Sequence, residues 1–253
     1  MKLTFISIAF SVTAFTFTSC SSGSTTPANS AITDTVTDID GNIYHTITIG
    51  KQTWMLENLK TTHYRNGTAI PNVTDSAQWS DLYLYDTAAN AYCDYNNDTA
   101  NGSIYGHLYN WYAVNNPAGL CPAGWHVPTD SEWTVLSTYL GGDSIAGGAM
   151  KDTILWQSPS DSIAGLAIKD TTLLQRPNAE STNSSGFSGL PGGSREEFGS
   201  FGEFGIGHVG CWWSSSEYST NEALACGLYF NFGFIDRGYD LKGGGHSIRC
   251  LKN

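Results

Sequence analysis

The sequence predicts an α+β fold with short antiparallel sheets, one or two helices and long ordered loops. Three observations carry this. Ile43, His45, Ile47 and Ile49 alternate, and Gly50-Lys51 separates them from Thr53-Trp54-Met55-Leu56, the pattern of two strands joined by a tight turn. Thr129-Asp130-Ser131-Glu132 forms a capping box after Pro128, with Trp133, Leu136 and Leu140 at helical spacing and Gly141-Gly142 as the stop. The C-terminal third is rich in glycine and short aromatic runs, with Leu228, Phe230, Phe232 and Phe234 on the inward face of one expected strand.

Taken in chain order, the first segment reads as an address. Lys2 precedes a mostly apolar run from Leu3 to Phe17, which Thr18-Ser19-Cys20 closes. A membrane-spanning helix needs about 20 apolar residues, so this run is too short and too interrupted by Ser and Thr. It fits a secretory signal over residues 1–19. A small residue before cysteine resembles a bacterial lipobox, which makes Cys20 the expected acylation site. Ordinary cleavage nearby, with a free Cys20, is the alternative. Residues 20–38, Ser/Thr-rich at first, are expected to tether a domain over residues 39–253 to the outer membrane, periplasmic or surface-facing.

The stretch from Tyr64 to Asp98 is rich in Asn, Asp and Tyr and is expected to be ordered loop. Beyond the capped helix, DSIAGGAMKDTILWQSPS from Asp143 is repeated as DSIAGLAIKDTTLLQRPN from Asp161, with 12 of 18 positions identical. One unit copied once is too few for a solenoid, so this reads as a local duplication within one domain.

Composition excludes whole classes. With 253 residues, 13% aromatic and only 14% charged, the bulk of the chain has enough apolar material to fold. A net charge of −11 argues against nucleic acid, because phosphate contacts need clustered Lys and Arg. No C-x-x-C supports a zinc or redox reading. In an exported domain the preferred disulfides are Cys121 with Cys250 and Cys211 with Cys226, the second across a candidate hairpin, leaving Cys93 as a buried thiol. A fully reduced domain is the alternative.

Chemical motifs are sparse. Gly205 to Gly210 matches G-x-G-x-x-G but leads into Cys211-Trp212-Trp213 rather than a helix, so no dinucleotide site is expected. Asp94, Asn96 and Asp98 alternate oxygen ligands, yet Thr99 and Tyr105 stand where an EF-hand needs Gly and Glu. An irregular calcium site of Asp94, Asn96, Asp98 and Asn101 is one reading, and a cluster of turn-forming side chains the other. Calcium is the one cofactor with any support. Glu196-Glu197 and the pair Asp236 and Asp240 are read as loop charges. Tyr92, Tyr95, Tyr109, Trp111, Tyr112, Trp212, Trp213, Tyr218, Tyr229 and Tyr239 are an excess that either fills a loop-rich core or forms a recognition surface.

Six ordered blocks then carry a resemblance: DIDGNIYHTITIGKQTWMLENLK, YGHLYNWYAV, CPAGWHVPTDSEWTVLSTYLGG, GFSGLPGGSR, WWSSSEYS and HSIRCLKN. From Val36 to Asn253 the chain resembles the Fibrobacter succinogenes major paralogous domain, a family of exported bacterial proteins often carried on lipoproteins. The resemblance implies a C-type-lectin-like fold whose ends meet in one small sheet, which suits the Cys121–Cys250 pair, with ligand sites on long loops. It implies no catalytic residue. The sugar-site triplets of calcium-dependent lectins do not occur, and the paired cysteines of formylglycine-generating enzymes have no recognisable counterpart. The expected function is a binding module for a glycan or protein, through Trp213, Glu217, Tyr218, Asp236, Arg237, Tyr239 and Asp240. An exported enzyme of the formylglycine-generating type and a purely structural envelope protein are the rival readings.

Overall fold

The computed structural model describes residues 32–84, 89–156, 181–202 and 205–253. It is an α+β fold of three antiparallel sheets and five short helices among these residues. The expected hairpin forms as β2 (Ile43–Ile49) and β3 (Gln52–Met55), with Ile47 opposite Trp54 and Ile49 opposite Gln52. Its turn needs Gly50 twice over: φ is +62°, and a Cβ there would lie 2.9 Å from the Tyr139 ring. β1 (Ile32–Thr37) pairs with β2, so the domain starts within the segment expected to be tether. The β-branched residues Ile32, Thr33, Thr35, Val36 and Thr37 were the available signal. Residues 1–19, Cys20 and the second repeat copy lie outside the described residues.

β11 (Leu251–Lys252) inserts between β3 and β6 (Trp125–His126), completing the order β1-β2-β3-β11-β6. The two ends of the domain therefore meet in one sheet. This sheet is covered on both faces. Tyr44, Met55 and Cys250 face one core, while Ile47, Ile49, Trp54 and Leu251 face the other, and Ile43 is left 63% exposed. A disulfide joins Cys121 to Cys250 beside β6 and β11, as expected.

The capped helix is α4 (Asp130–Tyr139), after α1 (Ser76–Leu84), α2 (Thr99–Tyr105) and α3 (Trp111–Val114). The Thr129 hydroxyl accepts from the Glu132 amide, and the Glu132 carboxylate accepts from the Thr129 amide. Trp133 pins α4 to the sheet, its ring 4.8 Å from Trp54 and 6.4 Å from Trp212. α1 falls in the stretch expected to be loop. Its start was legible, since Asp75 accepts from the Gln78 amide at 2.9 Å, the cap-plus-three spacing.

β4 (Tyr92–Cys93), β5 (Leu108–Asn110) and β10 (Gly245–His246) form a small second sheet. The third consists of β7 (Val209–Glu217), β8 (Glu222–Tyr229) and β9 (Asp236–Leu241). The strand expected through Phe234 stops at Tyr229, and Phe232 is 44% exposed. α5 (Asp143–Met150) captures the intervening turn: the Gly148 amide donates to the Gly233 carbonyl, and Ile235 donates to Asp143. Lys151 donates to the Tyr229 and Phe232 carbonyls at 3.1 and 2.8 Å. Phe234 stacks on Phe232 rather than entering the core.

The Cys211–Cys226 bridge does not form. Cys211 lies opposite Gly227, and Trp212 opposite Cys226, so the two thiols point to opposite faces of the β7–β8 hairpin and both are free. Cys93 is a free, buried thiol as expected. Among the described residues, no helix is long and apolar enough to cross a membrane.

Candidate functional site

The third sheet has one face packed on the core through Trp212, Cys226 and Leu228. Its other face is covered at one end, by Trp213, Ala223 and Ala225, and open at the other. The open end is a cavity of about 320 Å³. Strand alternation builds its floor: Val209 and Cys211 of β7, Gly227 and Tyr229 of β8, and Asp236, Gly238 and Asp240 of β9 share this face. Concavity follows from the small residues. A Cβ on Gly238 would meet nothing within 4 Å, so the missing side chain is the space itself. Ser194, Glu196 and Gly202 supply the facing wall, and His246 closes one end.

The cavity is acidic. Asp236, Asp240 and Glu196 line it, with no Lys or Arg among its lining residues. Asp240 accepts from the Leu241 amide and pairs with His246 Nε2 at 2.9 Å. Burial works against its ionised form, but the His246 bond and charge outweigh burial and hold the carboxyl below its ordinary range. Burial, with the charges of Asp240 and Glu197, pushes Glu196 the other way. Cys211 shows the same field: burial and then Asp240, Asp236 and Glu196 push its thiol up to about 12. A thiol in that setting stays protonated at neutral pH and is a poor nucleophile.

The seven residues expected to form one recognition surface are divided by strand alternation. Asp236 and Asp240 enter the cavity, where the Tyr229 hydroxyl donates to Asp236 at 3.2 Å. Tyr239 borders it and stacks on Tyr218 with ring centroids 4.3 Å apart and planes 3° apart, both rings more than half exposed. Arg237 turns toward α4 and donates to the Asp130 carbonyl and carboxylate. Glu217 pairs with Lys242, whose ammonium also sits over the Trp111 ring. Trp213 is a correction, because it is fully buried, with its indole donating to the Tyr109 carbonyl at 2.9 Å. Tyr92, Tyr109, Trp111 and Trp212 are core as well, so the aromatic excess is mainly packing.

Two of the four candidate calcium ligands, Asp98 and Asn101, bond the backbone. Asp98 caps α2 by accepting from the Ala100 amide, and the Asn101 amide donates to the Tyr95 carbonyl. Asp94 holds His107 at 2.6 Å, and Asn96 sits at φ +54° in a turn. Among the described residues, no group of three or more His, Cys, Asp or Glu is placed to hold a metal. The G-x-G-x-x-G segment also packs locally, since a Cβ on Gly205 would lie 2.0 Å from the Tyr95 hydroxyl.

Sequence reasoning missed Glu196, Cys211 and His246 as cavity residues. Glu196 had been singled out only as a loop charge, and nothing local marks a histidine that a second sheet delivers.

No curated protein and no solved structure matches the chain. A family match does exist, and it spans the hairpin from Ile47, the capped helix, the cavity and the closing strand: over residues 47–252 the chain matches the Fibrobacter succinogenes major domain, and it belongs to that family.

Proposed function

We propose that this protein is a lipid-anchored binding module of the cell envelope that holds a glycan or protein ligand over the open face of β7, β8 and β9, without catalysis. The observation that carries the reading is the cavity itself: three carboxylates and no lysine or arginine in the lining, beside an exposed tyrosine pair. Such a surface suits a ligand that presents an ammonium, guanidinium or other hydrogen-bond donor to the carboxylates. Meeting of the two ends of the domain in one sheet supports a C-type-lectin-like assignment. The rival enzyme of the formylglycine-generating type needs reactive thiols. Here burial and carboxylates hold Cys211 protonated, and Cys226 faces the core.

Cys20 is the proposed anchor, and Cys20→Ser is expected to release the protein from membranes; persistence in the membrane fraction overturns it. For the ligand, the protein is immobilised and exposed to envelope glycans and envelope proteins in parallel with Gly238→Val, which fills the cavity. Capture by the native protein and not by the variant is expected. Equal capture by both overturns the reading.

A further inference from the structure

A second cavity, of about 350 Å³, lies between Asp40 and Asn42 before β2, Lys60 and Thr62 after β3, and the segment from Tyr92 to His107. Its lining mixes amides, hydroxyls, an ammonium, an imidazole and carboxylates around a tyrosine ring, unlike the acidic cavity over the third sheet.

The central pair is Asp94 and His107. The Asp94 side chain is 93% buried, being 7% exposed, yet it lines the cavity. Its Oδ1 lies 2.6 Å from His107 Nδ1. That bond places the imidazole proton on Nδ1 and leaves Nε2 a free acceptor in the neutral ring. Among the described residues neither Asp94 Oδ2 nor His107 Nε2 has a hydrogen-bond partner. Asp94 can sit there because position 102 is glycine: a Cβ would lie 1.9 Å from Oδ1. The His107 ring is in turn held against Tyr92, with centroids 4.8 Å apart.

Lys60 supplies the donor. One N–H of its ammonium goes to the Ser103 carbonyl at 2.6 Å, and two remain. Asp40, though it also lines the cavity, is already occupied: Thr61, Thr62 and His63 donate to it. Two free acceptors and one ammonium beside an aromatic ring disfavour an anion, which the acceptors would repel, and a simple cation, which Lys60 would repel. A hydroxylated carbon chain meets every requirement, with O–H groups donating to Asp94 Oδ2 and His107 Nε2 and an oxygen accepting from Lys60.

We propose that the Asp94–His107–Lys60 cavity is a binding site for a neutral sugar, separate from the cavity over β7, β8 and β9. The site goes beyond the proposed function and does not depend on it.

The test titrates the purified chain with glucose, galactose, mannose, N-acetylglucosamine and cellobiose at millimolar concentration while the His107 imidazole and Gly102 amide signals are followed by NMR. At least one sugar is expected to shift both saturably. Asp94→Asn and Lys60→Met are each expected to weaken that binding tenfold or more, and Gly238→Val to leave it unchanged. If Asp94→Asn does not fold, Lys60→Met decides, since Lys60 lies outside both cores. No shift with any of the five sugars, undiminished binding by Lys60→Met, or loss of binding in a folded Gly238→Val overturns the assignment. Loss of envelope-ligand capture by Gly238→Val with sugar binding intact would separate the fates of the two cavities.

Discussion

Asn58 and Arg249, 191 residues apart, meet in the core: Asn58 Oδ1 accepts from the Arg249 guanidinium at 2.9 and 3.2 Å. The same oxygen accepts from the Trp212 indole at 2.8 Å, while the Asn58 amide donates to the Tyr105 carbonyl. Arg249 is fully buried and has no carboxylate partner among the described residues. Backbone carbonyls of Phe187 and Ser188 and the faces of Phe187 and Trp212 satisfy it instead. Arg195 repeats the device, donating to the Gly199, Val73 and Thr74 carbonyls between Trp79 and Phe201. In a fold this rich in loops, buried guanidinium forks hold loop carbonyls that no strand partner reaches.

Removing Asn58 leaves a buried cation and an indole N–H without their acceptor. Asn58→Leu is therefore expected to destabilise the protein by about 3 kcal/mol or more, the range for breaking a buried charged network. Chemical denaturation measures it. A loss under about 1 kcal/mol would mean that water or another carbonyl replaces the amide.

The Cys121–Cys250 bridge closes a span of 129 residues, for which the chain-entropy model gives about 5 kcal/mol. The double serine variant should lose several kcal/mol in urea unfolding. Cys211→Ala should leave the non-reducing peptide map unchanged, because neither it nor Cys226 is bridged.

Two cavity carboxyls respond to pH with opposite sign. Asp240 is held below its unfolded-state pKa, so its stabilisation is present above that unfolded value and is lost as pH falls through the folded one. Glu196 is held above its unfolded-state pKa, so ionising it costs stability at neutral pH, and the cost disappears on acidification. Glu196→Gln should accordingly raise Tm at pH 7 and change it little at pH 3. Asp240→Asn should lower Tm at pH 7 and flatten the acid limb. Thermal melts across this range check both signs.

Tyr218 and Tyr239 are exposed, so Tyr218→Ala or Tyr239→Ala should change stability by less than about 1 kcal/mol while weakening the ligand of the third-sheet cavity tenfold or more. Trp133→Ala is the contrasting case. It empties the contact between α4 and the sheet and should cost about 3–5 kcal/mol. If the tyrosine variants instead unfold the domain, the rings are structural.

Local chemistry determined in advance what depends on neighbours in sequence: the β2–β3 hairpin from its alternation and Gly50, and α4 from its capping box; for the Asp94 to Asn101 cluster it left a calcium site and a set of turns both open. The ordered blocks of the family fixed membership, and with it the meeting of Cys121 and Cys250. Tertiary structure alone decided the rest. A one-residue register, Cys211 opposite Gly227, turned an expected disulfide into two thiols on opposite faces. Alternation along β9 divided Asp236 and Asp240 from Arg237 and Tyr239, and a cavity arose where Gly238 leaves space between strands that sequence does not align. Trp213 and Tyr239 are both aromatic residues in strands, yet one is buried and the other exposed, because burial is set by what packs across the sheet and not by the residue itself.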